Sequence, residues 1–224
     1  MSFGDKKLSE IAVSVPGSTS LLREYDLDFC CGGSDTLANA AAEKGLNLAE
    51  IETRLTELQN SKAENPEEYW VNATYPEIID HILVRYHQRH REQLQELIVL
   101  ADRVESVHGD RDDCPIGVAA ELRNVYEDLS NHMMKEEHVL FPMIKAGNYM
   151  MAQMPIRMME MEHAEHGEHL EVLKSLTNNM TPPADACNTW LALYSGIQEF
   201  IDDLMMHIHR ENNILFPRVI AENH

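Results

Sequence analysis

One motif in this 224-residue chain is written twice: Asp128-x3-His132-x3-Glu136 followed by Leu140-Phe141-Pro142 recurs as Asp203-x3-His207-x3-Glu211 followed by Leu215-Phe216-Pro217. A His-x2-His step precedes each copy, His87/His90 before the first and His163/His166 before the second, 45 and 44 residues ahead of the motif histidine. On an α-helix, residues four apart lie one above the other on a single face. Each unit therefore presents two imidazoles and one carboxylate to a common point, and two units supply four His and two Glu. That donor set suits two metal ions.

The surrounding pattern is helical throughout. From Pro76 onward four apolar stripes appear with a 3.6-residue period: Ile79 to Val104, Val118 to Met143, Met159 to Leu176, and Leu193 to Ile214. Pro76 suits a first helical turn, Gly147 suits a helix stop, and the polar stretches 108–116 and 178–186 suit loops. The pattern predicts an all-α protein whose residues 76–224 form an antiparallel four-helix bundle of two repeated hairpins. Residues 1–60 read as a small helical domain of short pieces broken at Val15-Pro16-Gly17-Ser18, Cys31-Gly32-Gly33-Ser34 and Gly45. Residues 61–75 are polar, contain Pro66 and lack a clear period, so they read as a linker.

Each repeated His and Glu falls on a stripe that the helical period assigns to the core. A buried carboxylate without compensation costs several kcal/mol or takes up a proton, and a metal ion removes that cost by coordination. Nitrogen and oxygen donors without thiolate favour iron or manganese over a structural zinc site of Cys ligands. Two irons are expected, bridged by Glu136 and Glu211 and shared among His87, His132, His163 and His207, with room left for an oxo bridge or a small exogenous ligand. Asp128 and Asp203, one turn before His132 and His207, are candidates for holding the second ring N–H of those histidines. His90 and His166 face inward and read as lining the cavity or relaying protons. The methionines read as core fillers, and His81, His108, His138, His169, His209 and His224 as solvent-facing.

Charge and cysteine usage narrow the function further. Eighteen basic against 38 acidic side chains give a net charge of −20, which disfavours nucleic acid and anionic membrane surfaces as partners. The first ten residues carry no apolar leader and no later run is long enough to span a bilayer, so a cytoplasmic location is expected. The four cysteines are unevenly placed, two of them adjacent at Cys30-Cys31, and read as free thiols. Cys114 and Cys187, each in a loop, read as incidental.

With these residues in place, the region from Pro76 to Glu222 resembles the hemerythrin-like HHE domains, bundles that hold a non-haem di-iron centre. The segment Tyr25-Asp26-Leu27-Asp28-Phe29-Cys30-Cys31-Gly32-Gly33 is similar to the signature of the small domain that precedes such a bundle in the di-iron iron-sulfur cluster repair proteins, the repair of iron centres family. The resemblance covers almost the whole chain. It implies that His87, His132, Glu136, His163, His207 and Glu211 occupy the ligand positions of an oxo-bridged di-iron centre. It also implies repair of clusters damaged by nitric oxide or peroxide through iron donation, with nitric oxide reduction or the sensing of oxygen or nitric oxide as alternatives. Damaged iron-sulfur proteins are the expected partners, nitric oxide or oxygen the expected small ligands, and a homodimer the expected assembly. Cys30 and Cys31 offer a thiol exchange pair, an iron acceptor or a nitrosyl acceptor.

Overall fold

The computed structural model describes residues 2–61 and 63–222, so His224 lies outside the described residues. Its helices are α1 (Leu8–Ser14), α2 (Ser18–Glu24), α3 (Leu37–Glu43), α4 (Leu48–Asn60), α5 (Pro66–Asn72), α6 (Tyr75–His81), α7 (Gln88–His108), α8 (Val118–Lys135), α9 (Phe141–Lys145), α10 (Tyr149–Leu176), α11 (Asn188–His209) and α12 (Phe216–Ala221). No strand occurs among the described residues, and an isolated bridge joins Lys7 to Thr36. The chain forms two compact units: Met1–Ile78 with Met206–His224, and Ile79–Met205.

The first unit is built from short helices whose starts are set by polar caps. The side chains of Thr36, Asn47 and Asn65 accept the backbone N–H groups of Asn39, Glu50 and Glu67, three of the amide donors that helix starts leave without partners. Leu8, Ile11, Leu22, Leu27, Phe29, Leu37, Ile51 and Leu55 are fully buried in its core. Helix α5 stands inside the stretch expected to be a linker. Its cap residue Asn65 and its first residue Pro66 are the two best helix-start signals available, and they override the polar composition. The segment 210–215 packs on α1 in this same unit, which is why the carboxyl-terminal end groups with residues 1–78 rather than with the bundle.

The second unit is a set of long antiparallel helices, as its cross-helix pairs show. Arg91, Gln95 and Asp102 of α7 meet Glu137, Tyr126 and Arg123 in reverse order. Helix α8 meets α10 likewise, through Lys135 with Glu162 and Asp128 with His169. Residues 188–205 of α11 run antiparallel to α7 and the π-helical stretch before it, through Asp203 with Arg85, Glu199 with Arg89, and the Gly196 carbonyl with Gln93. At that crossing a β-carbon on Gly196 would lie 2.7 Å from Leu97 Cδ2, so only glycine permits the close approach without a shift.

Three stretches are π-helical rather than α-helical: Ile82–His87, Glu136–Leu140 and Arg210–Leu215. Each contains one of the predicted ligands. The latter two end immediately before Phe141-Pro142 and Phe216-Pro217, and proline supplies the cause. It lacks the N–H that an α-turn requires and its ring crowds the carbonyl four residues back, so the turn ahead of it widens. The repeated Leu-Phe-Pro is thus the sequence cause of a repeated bulge.

Candidate metal centre

In the second unit, His87 ends a π-helical turn, His132 lies in the last turn of α8, Glu136 opens the next π-helical turn, and His163 sits mid-way along α10. All four are buried, His87, Glu136 and His163 fully. Glu136 Oε2 lies 3.3 Å from His87 Nε2, and Oε1 lies 3.4 Å from His132 Nε2. His132 Nε2 and His163 Nε2 are 3.1 Å apart. The two oxygens of one carboxylate thus face two different imidazoles, the arrangement a bridging carboxylate requires.

The outward sides of the rings are held as firmly. His87 Nδ1 is 2.8 Å from Glu137 Oε1, which also accepts from Arg91 at 2.7 Å. His132 Nδ1 is 2.9 Å from Glu162 Oε2, whose other oxygen accepts from Lys135 at 2.6 Å. The His87 contact, opposed by burial and reinforced by Arg91, holds Glu137 down at about 2. Glu162 is held at about 2 by His132, against burial and with help from Lys135. A carboxylate that stays ionised can only accept, so each ring carries its hydrogen on Nδ1 and turns an Nε2 lone pair inward. Two fixed lone pairs and a carboxylate in a water-excluded place fit a cation of charge two or three.

His207 and Glu211 of the second motif copy lie in the first unit. His207 Nε2 is 3.3 Å from Glu211 Oε1, and both residues are buried. Here the neighbours of the carboxylate serve another purpose. Asn212 Nδ2 donates to the Cys30 carbonyl at 3.0 Å, and Asn213 Nδ2 donates to the Phe29 carbonyl at 2.8 Å. Arg210 is buried and pairs with Glu67 of α5, its guanidinium lying 4.8 Å from the Trp70 ring centre. Burial pushes the Glu67 carboxyl up, but His209 and Arg210 outweigh it and hold it below its ordinary value.

Several expectations require correction. Asp128 does not hold His132; it pairs with His169 at 3.1 Å, while Asp203 pairs with Arg85. The tilt of helical Cβ atoms points a residue one turn ahead of the histidine away from the ring, and a neighbouring helix supplies the acceptor instead. Glu137 and Glu162 were missed because carboxylates are plentiful in this chain and their repeat counterparts are not carboxylates. His209 is fully buried rather than solvent-facing, with Glu67 at 3.4 Å, Asn213 at 2.8 Å and an edge-on Phe29 ring at 5.4 Å. His90 and His166 are buried as expected, but their rings pack on other rings: His90 on Tyr86 and Phe200, His166 edge-on to His132.

Cys30 and Cys31 sit in the turn after Phe29. The Asp28 carboxylate accepts the amides of Cys30 at 3.0 Å, Cys31 at 2.9 Å and Gly32 at 2.8 Å, which folds the turn around it. A β-carbon on Gly33 would fall 2.5 Å from the Phe29 carbonyl oxygen, so this position needs glycine. The two Sγ atoms are 3.8 Å apart and neither cysteine forms a disulfide. Cys30 is buried and Cys31 partly exposed. The contact with Cys31, then burial, then Asp28 push the Cys30 thiol well above its ordinary range, so it remains protonated at neutral pH. One oxygen of Asp28 and the two sulfurs lie within 4.8 Å of one another, a second small group of donor atoms.

Comparison with known proteins agrees with this geometry. Residues 78–219 match the Hemerythrin HHE cation binding domain, and residues 4–59 match a Domain of Unknown function (DUF542). A Haemophilus influenzae protein named "Probable iron-sulfur cluster repair protein" is 69% identical over 222 residues, covering 99% of this chain and 100% of the relative. The Iron-sulfur cluster repair proteins YtfE of Musicola paradisiaca and Citrobacter koseri are each 55% identical, covering 98% and 99% of both chains respectively. Fold and donors together define a hemerythrin-like domain whose chemistry fits a di-iron centre. At this identity over its full length, the chain belongs to the iron-sulfur cluster repair protein YtfE family.

Proposed function

We propose that this protein repairs iron-sulfur clusters damaged by oxidative or nitrosative stress by donating iron, which it carries as two ions on His87, His132, Glu136, His163, His207 and Glu211. One observation carries the reading most: Glu136 is shared between two imidazoles whose outer nitrogens are locked by Glu137 and Glu162. The repeat extends the same role to His207 and Glu211, which would hold iron together with the first set. Imidazole and carboxylate hold ferrous iron less tightly than a four-thiolate cage, so iron held here can be passed to a site richer in sulfur. The protein's own part is to keep the histidines neutral, correctly turned and dry, while Cys30 and Cys31 meet the damaged cluster as thiol exchange partners or acceptors.

Damaged iron-sulfur proteins are the proposed partners, in the cytoplasm, with the protein acting as a homodimer and with nitric oxide or oxygen as small ligands. No helix among the described residues is long and apolar enough to cross a membrane. The direct test is anaerobic transfer. Protein loaded with isotopically labelled ferrous iron is mixed with an apo-cluster protein, sulfide and thiol, and the label is followed into the rebuilt cluster. Label that stays behind while the cluster rebuilds from free iron rejects the reading.

A second reading, reduction of nitric oxide at the irons, is favoured by the adjacent reduced thiols, which would return electrons to the site. Sustained consumption of nitric oxide with stoichiometric thiol oxidation and no iron loss would select it.

A further inference from the structure

A second group of reactive side chains lies where α11 begins, within the bundle unit and separate from the His and Glu donors described above. Cys187 immediately precedes α11, whose first four amide groups have no partner inside the helix. His108, the last residue of α7, brings its Nε2 to 3.3 Å from Cys187 Sγ. The His108 ring packs on Trp190 at 5.3 Å between centres, and the fully buried indole fixes the ring's position. Cys187 itself is half-buried, so the sulfur is reachable.

We propose that Cys187, with His108 as its proton acceptor, is a reactive-thiol site that a hydroperoxide oxidises to a sulfenic acid. The requirements are a thiol that can ionise, a positioned base and access, and each is present. His108 takes the thiol proton. The thiolate then attacks one peroxide oxygen, an S–O bond forms as the O–O bond breaks, and the departing hydroxide or alkoxide takes the proton back from His108. Sulfur loses two electrons to give Cys–SOH, and the hydroperoxide gains them, leaving as water or an alcohol.

The charged surroundings neither create nor cancel the effect. Arg111 lies over Trp190 at 5.4 Å, but its charge is matched by Asp113 at 2.8 Å and Asp185 at 2.9 Å. The amide of Trp190, then His108, then the amide of Thr189 outweigh partial burial and bring the Cys187 thiol below its ordinary range. The contrast within the same region is Cys114, which burial and then the carboxylates of Glu105 and Asp113 push the other way. Tyr194, raised by burial, adds no base. Sequence reading treated both cysteines as incidental loop residues, because the partner of Cys187 comes from a helix 79 positions earlier.

The test is site-resolved labelling of the full-length, iron-loaded protein. Alkylation by iodoacetamide is followed by mass spectrometry from pH 5 to 9, and sulfenic acid formed by equimolar hydrogen peroxide is trapped with dimedone. Cys187 should alkylate faster than Cys114 at pH 6.5, and His108→Gln should slow it roughly threefold per unit of pKa. That figure is the tenfold loss of thiolate less the gain in intrinsic nucleophilicity. Dimedone label on Cys187 should fall in the same variant. The iron centre is common to both proteins, so radical chemistry at iron would label both alike, and that outcome overturns the proposal. If the variant does not fold, the wild-type profile decides alone: a Cys187 midpoint at or above about 8.5, the value of an unperturbed thiol, rejects the site.

Discussion

The two copies of the motif use the same three residues and then part company at the residues that follow. After Glu136 comes Glu137, which turns to His87 and fixes that ring. After Glu211 come Asn212 and Asn213, which turn to the carbonyls of Cys30 and Phe29 and fix the thiol turn. In the first copy a charged acceptor serves the metal side; in the second, neutral donors serve the cysteine side. A repeat of His and Glu is therefore combined with a division of labour, made by the residues immediately beyond the carboxylates.

The largest effect should come from the shared element. Glu136→Leu removes the carboxylate that faces two imidazoles, and iron should fall to at most half its wild-type content, read by elemental analysis, with helical circular dichroism nearly unchanged. Full iron content with an unaltered spectrum would show that the carboxylate is dispensable and the first copy is not a ligand set.

Next in size is the cover over the second copy. Replacing Glu67 with Gln leaves buried Arg210 without a charge partner, which should cost about 3 kcal/mol of stability. Denaturant midpoints check this. A midpoint equal to wild type would mean that Arg210 finds water, and that α5 is only a linker after all.

Removing the acceptor peculiar to the first copy is milder. Glu137→Gln keeps the shape but gives up the ionised acceptor of His87, and metal affinity should drop about 10- to 100-fold, measured by competition with a chelator. Asn212→Ala, at the matching position of the second copy, should leave that affinity within about twofold, since Asn212 is bonded to the cysteine turn. Equal losses in both variants would erase the difference between the copies.

Acid separates ligand chemistry from folding. Glu137 and Glu162 stand at about 2, below the ordinary carboxylate value of 4.5. Their contribution to stability is complete above pH 4.5 and is lost as pH falls from there toward 2. Metal binding needs the imidazole nitrogens free of protons, so acid competes with iron for them directly. Iron should therefore leave before the helices melt, with chelator absorbance rising above pH 4.5 and circular dichroism changing only below it. Coincident transitions would tie iron release to unfolding.

The smallest effect concerns the thiol turn. Asn213→Ala removes one donor to the Phe29 carbonyl and should cost about 1 kcal/mol. Iron content should hold while alkylation of Cys30 quickens, because the turn that buries it is loosened. Unchanged Cys30 labelling would show that Asp28 alone holds the turn. Changing Cys30 and Cys31 together to Ser should likewise spare iron and impair repair, and iron loss there would place the thiols in the metal site.

Local spacing alone determined much of this protein. The i to i+4 step of His132 and Glu136, their repetition at His207 and Glu211, and the apolar stripes on which they lie were enough for the helical class and for choosing candidate donor residues, because a helix's period is a property of the backbone. Pro142 and Pro217 marked the π-helical turns in advance to anyone asking where their missing N–H groups would have bonded. What the spacing did not contain is which carboxylate turns toward which ring. Glu137 and Glu162, not Asp128, hold the histidines, Glu67 reaches Arg210 across 143 positions, and His108 meets Cys187 across 79. Such pairings depend on how helices pack, and in a chain with 38 acidic side chains only tertiary structure selects the few that are buried beside a base.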